Sequence, residues 1–210
     1  MIHVSYGIQR GFLLSKSLAH WQPLLEEWLL MIERYCSVVE QDAPYWYNER
    51  ATTSLLAGAA WRCGGIALEE FQTEKQTEGE ERIKGRADLR LVIADNWDSI
   101  EAKVSYLSDS HDTPRVVTRL EQACEDVKKV PKAEDELRIG VLFCCPEISV
   151  SDYGPVDMKL ETFRAALMSI KNDAFAWCFP AITRELTPAS GQYKDYRYPG
   201  LFLLARIVDL

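Results

Sequence analysis

The sequence has few of the residues that build zinc centres. It contains three histidines and no His-Glu-x-x-His motif, so a histidine-based zinc site has few ligands to draw on. The six cysteines form no Cys-x-x-Cys pair, and most of them lie within apolar runs. We therefore expect reduced cysteines in the core, and neither a zinc scaffold nor a disulfide scaffold.

Long apolar runs are also missing. No stretch approaches the roughly 18 consecutive apolar residues of a membrane-spanning helix. The N-terminal residues lack the basic segment, apolar run and small-residue cleavage site of a signal peptide. These absences predict a soluble, cytoplasmic protein that has no membrane partner.

Positive charge is in deficit. The 24 lysines and arginines are outnumbered by 32 aspartates and glutamates, which gives a formal net charge of −8. Because nucleic-acid binding depends on the neutralisation of phosphates, this balance argues against a protein that coats nucleic acid in general. It does not exclude a nuclease that has a locally basic groove.

The length and the patterning indicate one α/β domain. With 47% hydrophobic content and no Pro/Gly/Ser-rich linker, residues 1–210 suit a single domain with a sizeable core. Apolar periodicity predicts helices at about 16–40, 49–63, 115–130 and 156–170, and strands at 66–75, 89–94, 99–107, 137–145, 174–182 and 201–210. A helix between strands 99–107 and 137–145 favours a parallel pair within a mixed sheet.

A β-hairpin is predicted in the middle of the chain. Leu89–Ala94 has the branched, apolar content of a buried strand. The next four residues, Asp95–Asp98, are typical of a turn, which we expect to be centred on Asn96 and Trp97. The chain resumes as a strand at Ser99. The charged residues 76–84 before it are predicted to form a solvated loop, and a flap over the hairpin is the open alternative.

Three charges of this hairpin converge on one face. Glu101 and Lys103 are two residues apart, so on a strand they point to the same side of the sheet. In the predicted register Glu101 lies opposite Val92, which shares a face with Asp88. Asp88 is then two residue pairs from the position opposite Glu101, and sheet twist or a bulge has to close that gap.

These residues resemble the motif of the PD-(D/E)XK, or restriction-endonuclease-like, phosphodiesterase superfamily. That motif is an acid at the end of one strand, followed after a variable gap by Asp/Glu-x-Lys on the next strand. Here Ala87-Asp88 stands in the place of Pro-Asp, and Glu101-Ala102-Lys103 stands in the place of the triplet. The resemblance implies a mixed sheet flanked by helices, with an α-β-β-β-α-β core.

The predicted elements contain that core in about residues 44–146. Residues 1–43 then form a helical N-terminal extension, and residues 147–210 form a C-terminal extension of a helix and strands. The resemblance covers about half of the chain.

The resemblance implies a site for Mg²⁺ or Mn²⁺. Asp88 and Glu101 are the implied metal ligands, together with the main-chain carbonyl of Ala102, because Mg²⁺ prefers hard oxygen donors. Lys103 is the implied catalytic residue that orients or helps to deprotonate the attacking water. Without a metal, the same charges would form only a structural ion-pair cluster on the sheet face.

Glu49 is the fourth implied catalytic and metal-binding residue. In many relatives a helix before the hairpin aims a glutamate into the site, and Glu49 lies in the first turn of such a helix. Glu69 and Glu70 compete for this role, and the helix dipole alone also accounts for an acid at that position.

The helix after the hairpin carries candidate phosphate-binding residues. Arg115 and Arg119 lie on its polar face, which in the resembled fold packs beside the site, although a simply solvated face is the alternative. Some relatives have a Gln-x-x-x-Tyr motif on this helix. Here Gln122 is followed by Asp126, so the exonuclease-type signature is broken.

A loop near the C-terminus interleaves aromatic and basic side chains. Tyr193, Lys194, Tyr196 and Arg197 suit unstacked bases and phosphates and are candidate nucleic-acid contacts. A loop whose tyrosines cover the core is the alternative.

The sequence thus predicts a metal-dependent nuclease that acts on DNA in preference to RNA. The alternative is a catalytically inactive nuclease-fold subunit that binds partners in a nucleic-acid-processing or defence complex. A homodimer or a partner protein is compatible with either function.

Overall fold

The computed structural model describes residues 1–5, 7–76, 82–108, 112–152, 154–188 and 195–208. The α-helices over these residues are α1 Gln22–Val38, α2 Glu49–Arg62, α3 Thr113–Lys128 and α4 Val156–Met168. The strands are β1 Ile2–Ser5, β2 Arg10–Leu14, β3 Ile66–Gln76, β4 Arg82–Ile93, β5 Asn96–Leu107, β6 Glu136–Pro146, β7 Ile148–Ser149, β8 Ala174–Cys178, β9 Tyr196–Arg197 and β10 Leu201–Ile207. Short 3₁₀ helices cover Lys16–Trp21, Pro44–Trp46 and Ala181–Thr183.

Eight of these strands form one mixed sheet in the order β1-β2-β8-β10-β6-β5-β4-β3. Strands β5 and β6 are parallel and α3 connects them, whereas the other neighbours in the sheet are antiparallel. The predicted parallel pair is therefore confirmed, as is the α/β class with a large mixed sheet. Strands β7 and β9 form a separate two-stranded sheet.

Helices flank the sheet on both faces. Trp28 and Val141 belong to the core layer beneath α1 and α2, whereas Leu120, Phe163 and Leu142 belong to the layer beneath α3 and α4. Adjacent residues of β6 are thus buried in opposite layers, as expected for a central strand covered on both sides. None of the helices in the described ranges is long and apolar enough to cross a membrane.

The N-terminal segment differs from the prediction. A hairpin of β1 and β2 precedes the helices, and β2 pairs with β8. The predicted helix at 16–40 is also divided, because a 3₁₀ segment occupies Lys16–Trp21 before α1 begins at Gln22. Strands of only four and five residues have little apolar pattern of their own, and their pairing with a distant strand is invisible to local periodicity.

The 3₁₀ segment is anchored to β5 by a buried carboxylate. Oδ2 of Asp98 accepts the Trp21 Nε1–H at 2.7 Å and lies 2.8 Å from Nε2 of His20. Asp98 is fully buried, so these two bonds offset part of the cost of removing its charge from water. The start of β5 is thereby fixed against the N-terminal segment.

The turn of the central hairpin also lies elsewhere than predicted. The turn residues are Ala94 and Asp95, both with positive φ (48° and 62°), and not Asn96 and Trp97. Two positive φ angles are characteristic of type I′ hairpin turns. Asn96 supports the turn, because its side-chain amide donates to the Ala94 carbonyl at 2.8 Å.

Because the turn falls two residues earlier than predicted, the register of β4 against β5 differs from the predicted one by an even number of residues. The ladder pairs Leu89 with Ile100, so Asp88 is level with Glu101, the position at which the prediction placed Val92. An even shift leaves each side chain on its predicted face and removes the gap that twist or a bulge was expected to close. Part of the predicted charged loop is also strand, because β4 begins at Arg82.

The cysteines agree with the prediction. All six are free, and five of them are buried. Burial raises the pKa of the Cys144 thiol to about 12, so this side chain is an unreactive core residue.

Candidate active site

Asp88 lies where β4 separates from β5. The main-chain ladder ends at the pair Leu89 and Ile100, and the Asp88 side chain continues the contact, because its Oδ2 accepts the Ala102 N–H at 2.8 Å. A carboxylate thereby takes the place of a main-chain acceptor. This bond holds Asp88 directly beside Glu101–Lys103.

The pairing between β3 and β4 is interrupted at Asp88. Within the described strand β3, Glu70 is the one residue that is not paired with β4, and the position it skips is Asp88. Glu70 has a φ of 49°, which is unfavourable for a residue other than glycine and is often found at functional sites. Its carboxylate bridges Arg50 and Arg86, at 3.1 and 3.3 Å.

Glu101 is buried and paired with a lysine from the far end of the β3–β4 hairpin. Only 4% of its side chain is exposed, and its Oε1 accepts a hydrogen bond from Nζ of Lys75 at 2.6 Å. Burial, reinforced by the charge of Asp88, raises the pKa of Glu101 to about 7, and Lys75 opposes this rise. Both forms of the carboxyl group are therefore populated near neutral pH.

Lys103 connects the hairpin to α3. Its Nζ donates to the Ala102 carbonyl at 3.1 Å and forms an ion pair with Asp126 at 3.0 Å. Burial alone would lower the pKa of Lys103, but Asp126, Glu49 and Asp88 together raise it above its usual value. Lys103 is therefore cationic, which suits a group that stabilises negative charge better than it suits a general base.

Glu49 is positioned by the start of α2. Asn48 caps this helix, because its Oδ1 accepts the Ala51 N–H at 3.1 Å. Glu49 follows in the first turn and lines a cavity of about 270 Å³ that Asp88 also lines. Burial raises the pKa of Glu49, Lys103 opposes this rise, and Asp88 adds to it.

The two competing glutamates line the same cavity. Glu69 accepts a hydrogen bond from the Ser54 hydroxyl at 2.8 Å, and Glu70 is held by its two arginines. The ion pairs of the described residues therefore hold Glu70 at the edge of the cavity, whereas Lys103 opposes the rise in the pKa of Glu49.

A second cavity, of about 490 Å³, adjoins Lys103 on the side of α3. Gln122 and Asp126, the positions of the broken Gln-x-x-x-Tyr pattern, both line it. Burial alone would raise the pKa of Asp126, but Lys129 and Lys103 lower it below its usual value. Asp126 is therefore an ionised partner of Lys103.

The donor chemistry of the site fits a hard divalent cation. In the contacts between described residues, Asp88 and Glu101 each engage one carboxylate oxygen and keep a second for a ligand. Among the described residues, no three His, Cys, Asp or Glu side chains are grouped closely enough to form a complete metal cage. Mg²⁺ usually needs fewer protein ligands, because it is held by one or two carboxylates together with water and substrate phosphates.

The two arginines predicted on α3 have different surroundings. Arg119 lies near enough to Glu49 to oppose the rise in the pKa of that carboxyl group, and it donates to the Gln122 side chain at 3.0 Å. Arg115 instead donates to the Tyr106 carbonyl at the end of β5. The structure thus brings Arg119 to the site, whereas Arg115 braces the connection between β5 and α3.

The predicted C-terminal nucleic-acid contacts are described only in part. Tyr193 and Lys194 lie outside the described residues. Tyr196 and Arg197 form β9, where Arg197 pairs with Glu185 at 2.9 Å. The guanidinium of Arg197 is thus engaged within the protein.

Sequence reasoning missed Lys75, Arg50 and Arg86 as neighbours of the site. Lys75 and Arg86 lie on strands, but the local pattern gives no sign that the hairpin brings Lys75 to Glu101. Arg50 could have been found, because it directly follows Glu49 in the first turn of a predicted helix.

Comparisons with protein-family models, with curated proteins and with solved structures find no match to this chain. The geometry of these residues therefore has to support any function assigned to them.

Proposed function

We propose that the chain is a metal-dependent nuclease that hydrolyses phosphodiester bonds, with DNA as its substrate. The observation that carries the proposal is the junction of β4 and β5, where Asp88 is bonded to the Ala102 N–H beside Glu101 and Lys103. Two carboxylates and a lysine on one sheet face supply the charges that metal-assisted hydrolysis of a phosphodiester needs.

The order of elements supports a restriction-endonuclease-like fold for this site. Elements α2, β3, β4, β5, α3 and β6 follow one another as α-β-β-β-α-β, and β5 is parallel to β6. In the resembled superfamily the acid and the triplet lie on consecutive strands of this core. Asp88 and Glu101–Lys103 have the same placement on β4 and β5.

Each residue has a distinct role in the proposed reaction. Asp88 and Glu101 would bind the cation together with the Ala102 carbonyl, and Glu49 adds a carboxylate to the cavity that Asp88 also lines. When bound, Mg²⁺ or Mn²⁺ lowers the pKa of a water molecule and neutralises charge that develops on the phosphate. Lys103 orients the attacking water and stabilises the negative charge of the transition state.

Basic residues at the rim add positive charge beside the carboxylates of the site. The side chains of Arg50 and Arg86 are 73% and 62% exposed, and both lie beside Glu70, next to Asp88. Arg119 supplies a third cation on the side of Glu49. These exposed arginines are placed to bind the phosphates that flank a scissile bond.

A cleavage assay tests the proposal. Plasmid, linear and single-stranded DNA and RNA are incubated with Mg²⁺ or Mn²⁺ and with wild type, Asp88→Asn, Lys103→Met or Asp95→Asn. We expect cleavage of DNA, slowed roughly 10²–10³-fold by each of the first two substitutions, because each removes a charge that acts on the transition state. Asp95→Asn, in the exposed turn, is the matched control and should behave as wild type.

Equal rates for wild type, Asp88→Asn and Lys103→Met would refute the proposed site. Cleavage of RNA alone would keep the site and correct the substrate.

A second candidate is a nuclease-fold binding subunit that has no catalytic activity. The observation that favours it is that Glu101 and Lys103 are already neutralised within the protein, by Lys75 and Asp126. A subunit of this kind should show no binding of Mg²⁺ or Mn²⁺ that depends on Asp88 and Glu101. Calorimetric titration of wild type against Asp88→Asn separates the two functions.

A further inference from the structure

The proposed function assigns two carboxylates to the metal, and one of them, Glu101, is already occupied by an ion pair with Lys75. The Glu101 side chain is 4% exposed, and that of Lys75 is 19% exposed. A cation that binds Glu101 therefore competes with the Lys75 ammonium group for this carboxylate.

Lys75 reaches Glu101 only because the end of the hairpin folds back. In the β3–β4 ladder Lys75 pairs with Ile83, five residues before Asp88, and Asp88 is level with Glu101. In a flat sheet these five residues would separate the two positions by about 16 Å along the strands. The lysine side chain alone is too short to span that distance.

We name residues 71–76 of β3 and 82–87 of β4 the outer hairpin. It begins next to Glu70, the residue of β3 that has a positive φ and no partner in the ladder with β4. This irregularity lies where the outer hairpin would have to bend in order to fold back.

The Lys75 side chain passes over Gly85, which has no side chain of its own to obstruct it. A Cβ atom at position 85 would lie 3.0 Å from both Cγ and Cδ of Lys75, so the aliphatic part of the lysine passes directly over this glycine. A methyl group at position 85 would require this part of the lysine to shift by a few tenths of an ångström. The contact thus depends on three features, namely the distortion at Glu70, the absent side chain at Gly85 and the ammonium group of Lys75.

We propose that Lys75 is a displaceable counter-ion and that the outer hairpin is a latch, which keeps Glu101 paired until a divalent cation takes the place of Lys75. This inference rests on the proposed metal site at Asp88 and Glu101. A buried carboxylate without a partner is costly, so Lys75 stabilises the site when no metal is bound. A dication at the same carboxylate repels the ammonium group and releases the outer hairpin, which opens the site to a nucleic-acid strand.

The test measures Mn²⁺ affinity by calorimetry at mildly alkaline pH, and hydrogen exchange of the outer-hairpin amides with and without Mn²⁺. Lys75→Met should bind Mn²⁺ roughly tenfold more tightly than wild type, which corresponds to the loss of a competing contact of about 1.4 kcal/mol. Gly85→Ala, which shifts the aliphatic part of the lysine but keeps its charge, should change the affinity in the same direction by a smaller factor. Lys75→Arg should restore wild-type affinity, and Lys84→Met, an exposed lysine of the same hairpin, should leave it unchanged.

Hydrogen exchange should give a matching result. Saturation of wild type with Mn²⁺ should accelerate exchange in the outer hairpin, whereas in Lys75→Met exchange should be fast already and should not respond to the metal. If Lys75 only stabilises the hairpin, the variant will exchange faster but bind Mn²⁺ no more tightly, and that result overturns the latch.

Failure of the latch differs from failure of the proposed function. Mn²⁺ binding that depends on Asp88 but leaves the outer hairpin unaltered overturns the latch alone. A wild-type protein that does not bind Mn²⁺ overturns both.

Discussion

Glu101 is the residue whose ionisation the fold changes most clearly within the site. Burial and the charge of Asp88 raise its pKa to about 7, from an ordinary value of 4.5, in spite of Lys75. The folded protein therefore retains a proton that the unfolded chain releases between these two values. Since the folded state then binds more protons than the unfolded state, the contribution of Glu101 to stability falls as pH rises from about 4.5 to about 7 and is constant above that range.

Substitution Glu101→Gln should remove this pH dependence. Relative to the variant, wild type should lose on the order of 3 kcal/mol of unfolding free energy between about pH 4.5 and pH 7, because a tenfold difference in proton affinity between the folded and unfolded states corresponds to about 1.4 kcal/mol. Urea unfolding of both proteins across that range measures the difference. Parallel stability profiles would contradict the raised pKa.

Helix α3 approaches β6 closely enough to bring Asp126 to Lys103. A Cβ atom at Gly140 of β6 would lie 2.6 Å from the main-chain nitrogen of Cys124 and 2.7 Å from its sulfur. Only glycine permits this separation without a shift of the backbone. The ion pair between Lys103 and Asp126, two residues after Cys124, is therefore linked to the packing of the whole helix.

Gly140→Ala should destabilise the protein by about 1–3 kcal/mol, the usual cost of overpacking, because α3 has to move away from β6. Gly154→Ala is a suitable control, since its Cβ would meet only side-chain atoms at 3.3 Å and 3.5 Å. The midpoint of urea unfolding measures both effects. A Gly140→Ala protein as stable as the control would show that the helix is not held at this distance.

The elements that could be predicted from the sequence are those with a strong local pattern. Apolar periodicity located α2 and α3, and the apolar run of β6 indicated a strand. Strand alternation alone placed Glu101 and Lys103 on one face. A crossover helix then predicted that β5 and β6 are parallel, and the structure confirms this.

The remaining features depend on backbone angles and tertiary contacts that no local pattern reports. The turn falls at Ala94 and Asp95, although Ala94 is an unusual residue at a positive φ. The distortion at Glu70 and the fold-back that joins Lys75 to Glu101 depend on the packing of the assembled sheet. The register therefore could not be predicted from the turn residues, although strand alternation had already placed the side chains on the correct faces.

At the scale of the whole molecule, the sheet is supported on both faces where the charged site lies. Strands β4 and β5 lie between the outer strand β3 and the buried strand β6, with α2 in contact on one face and α3 on the other. The core therefore fixes the main chain at Asp88 and Glu101, whereas the outer hairpin contacts Glu101 through Lys75 at the edge of the sheet. A supported sheet beside a separately held hairpin suits the cation and the long substrate of the proposed function.

Binding of one divalent cation by both Asp88 and Glu101 is the central claim made for this protein. Anomalous X-ray scattering from a crystal soaked in Mn²⁺ tests it most directly, because it locates the ion and its ligands in one measurement. We predict an anomalous peak bonded to carboxylate oxygens of both Asp88 and Glu101. A saturating soak that gives no peak there, with the bond from Lys75 to Glu101 intact, would contradict the claim.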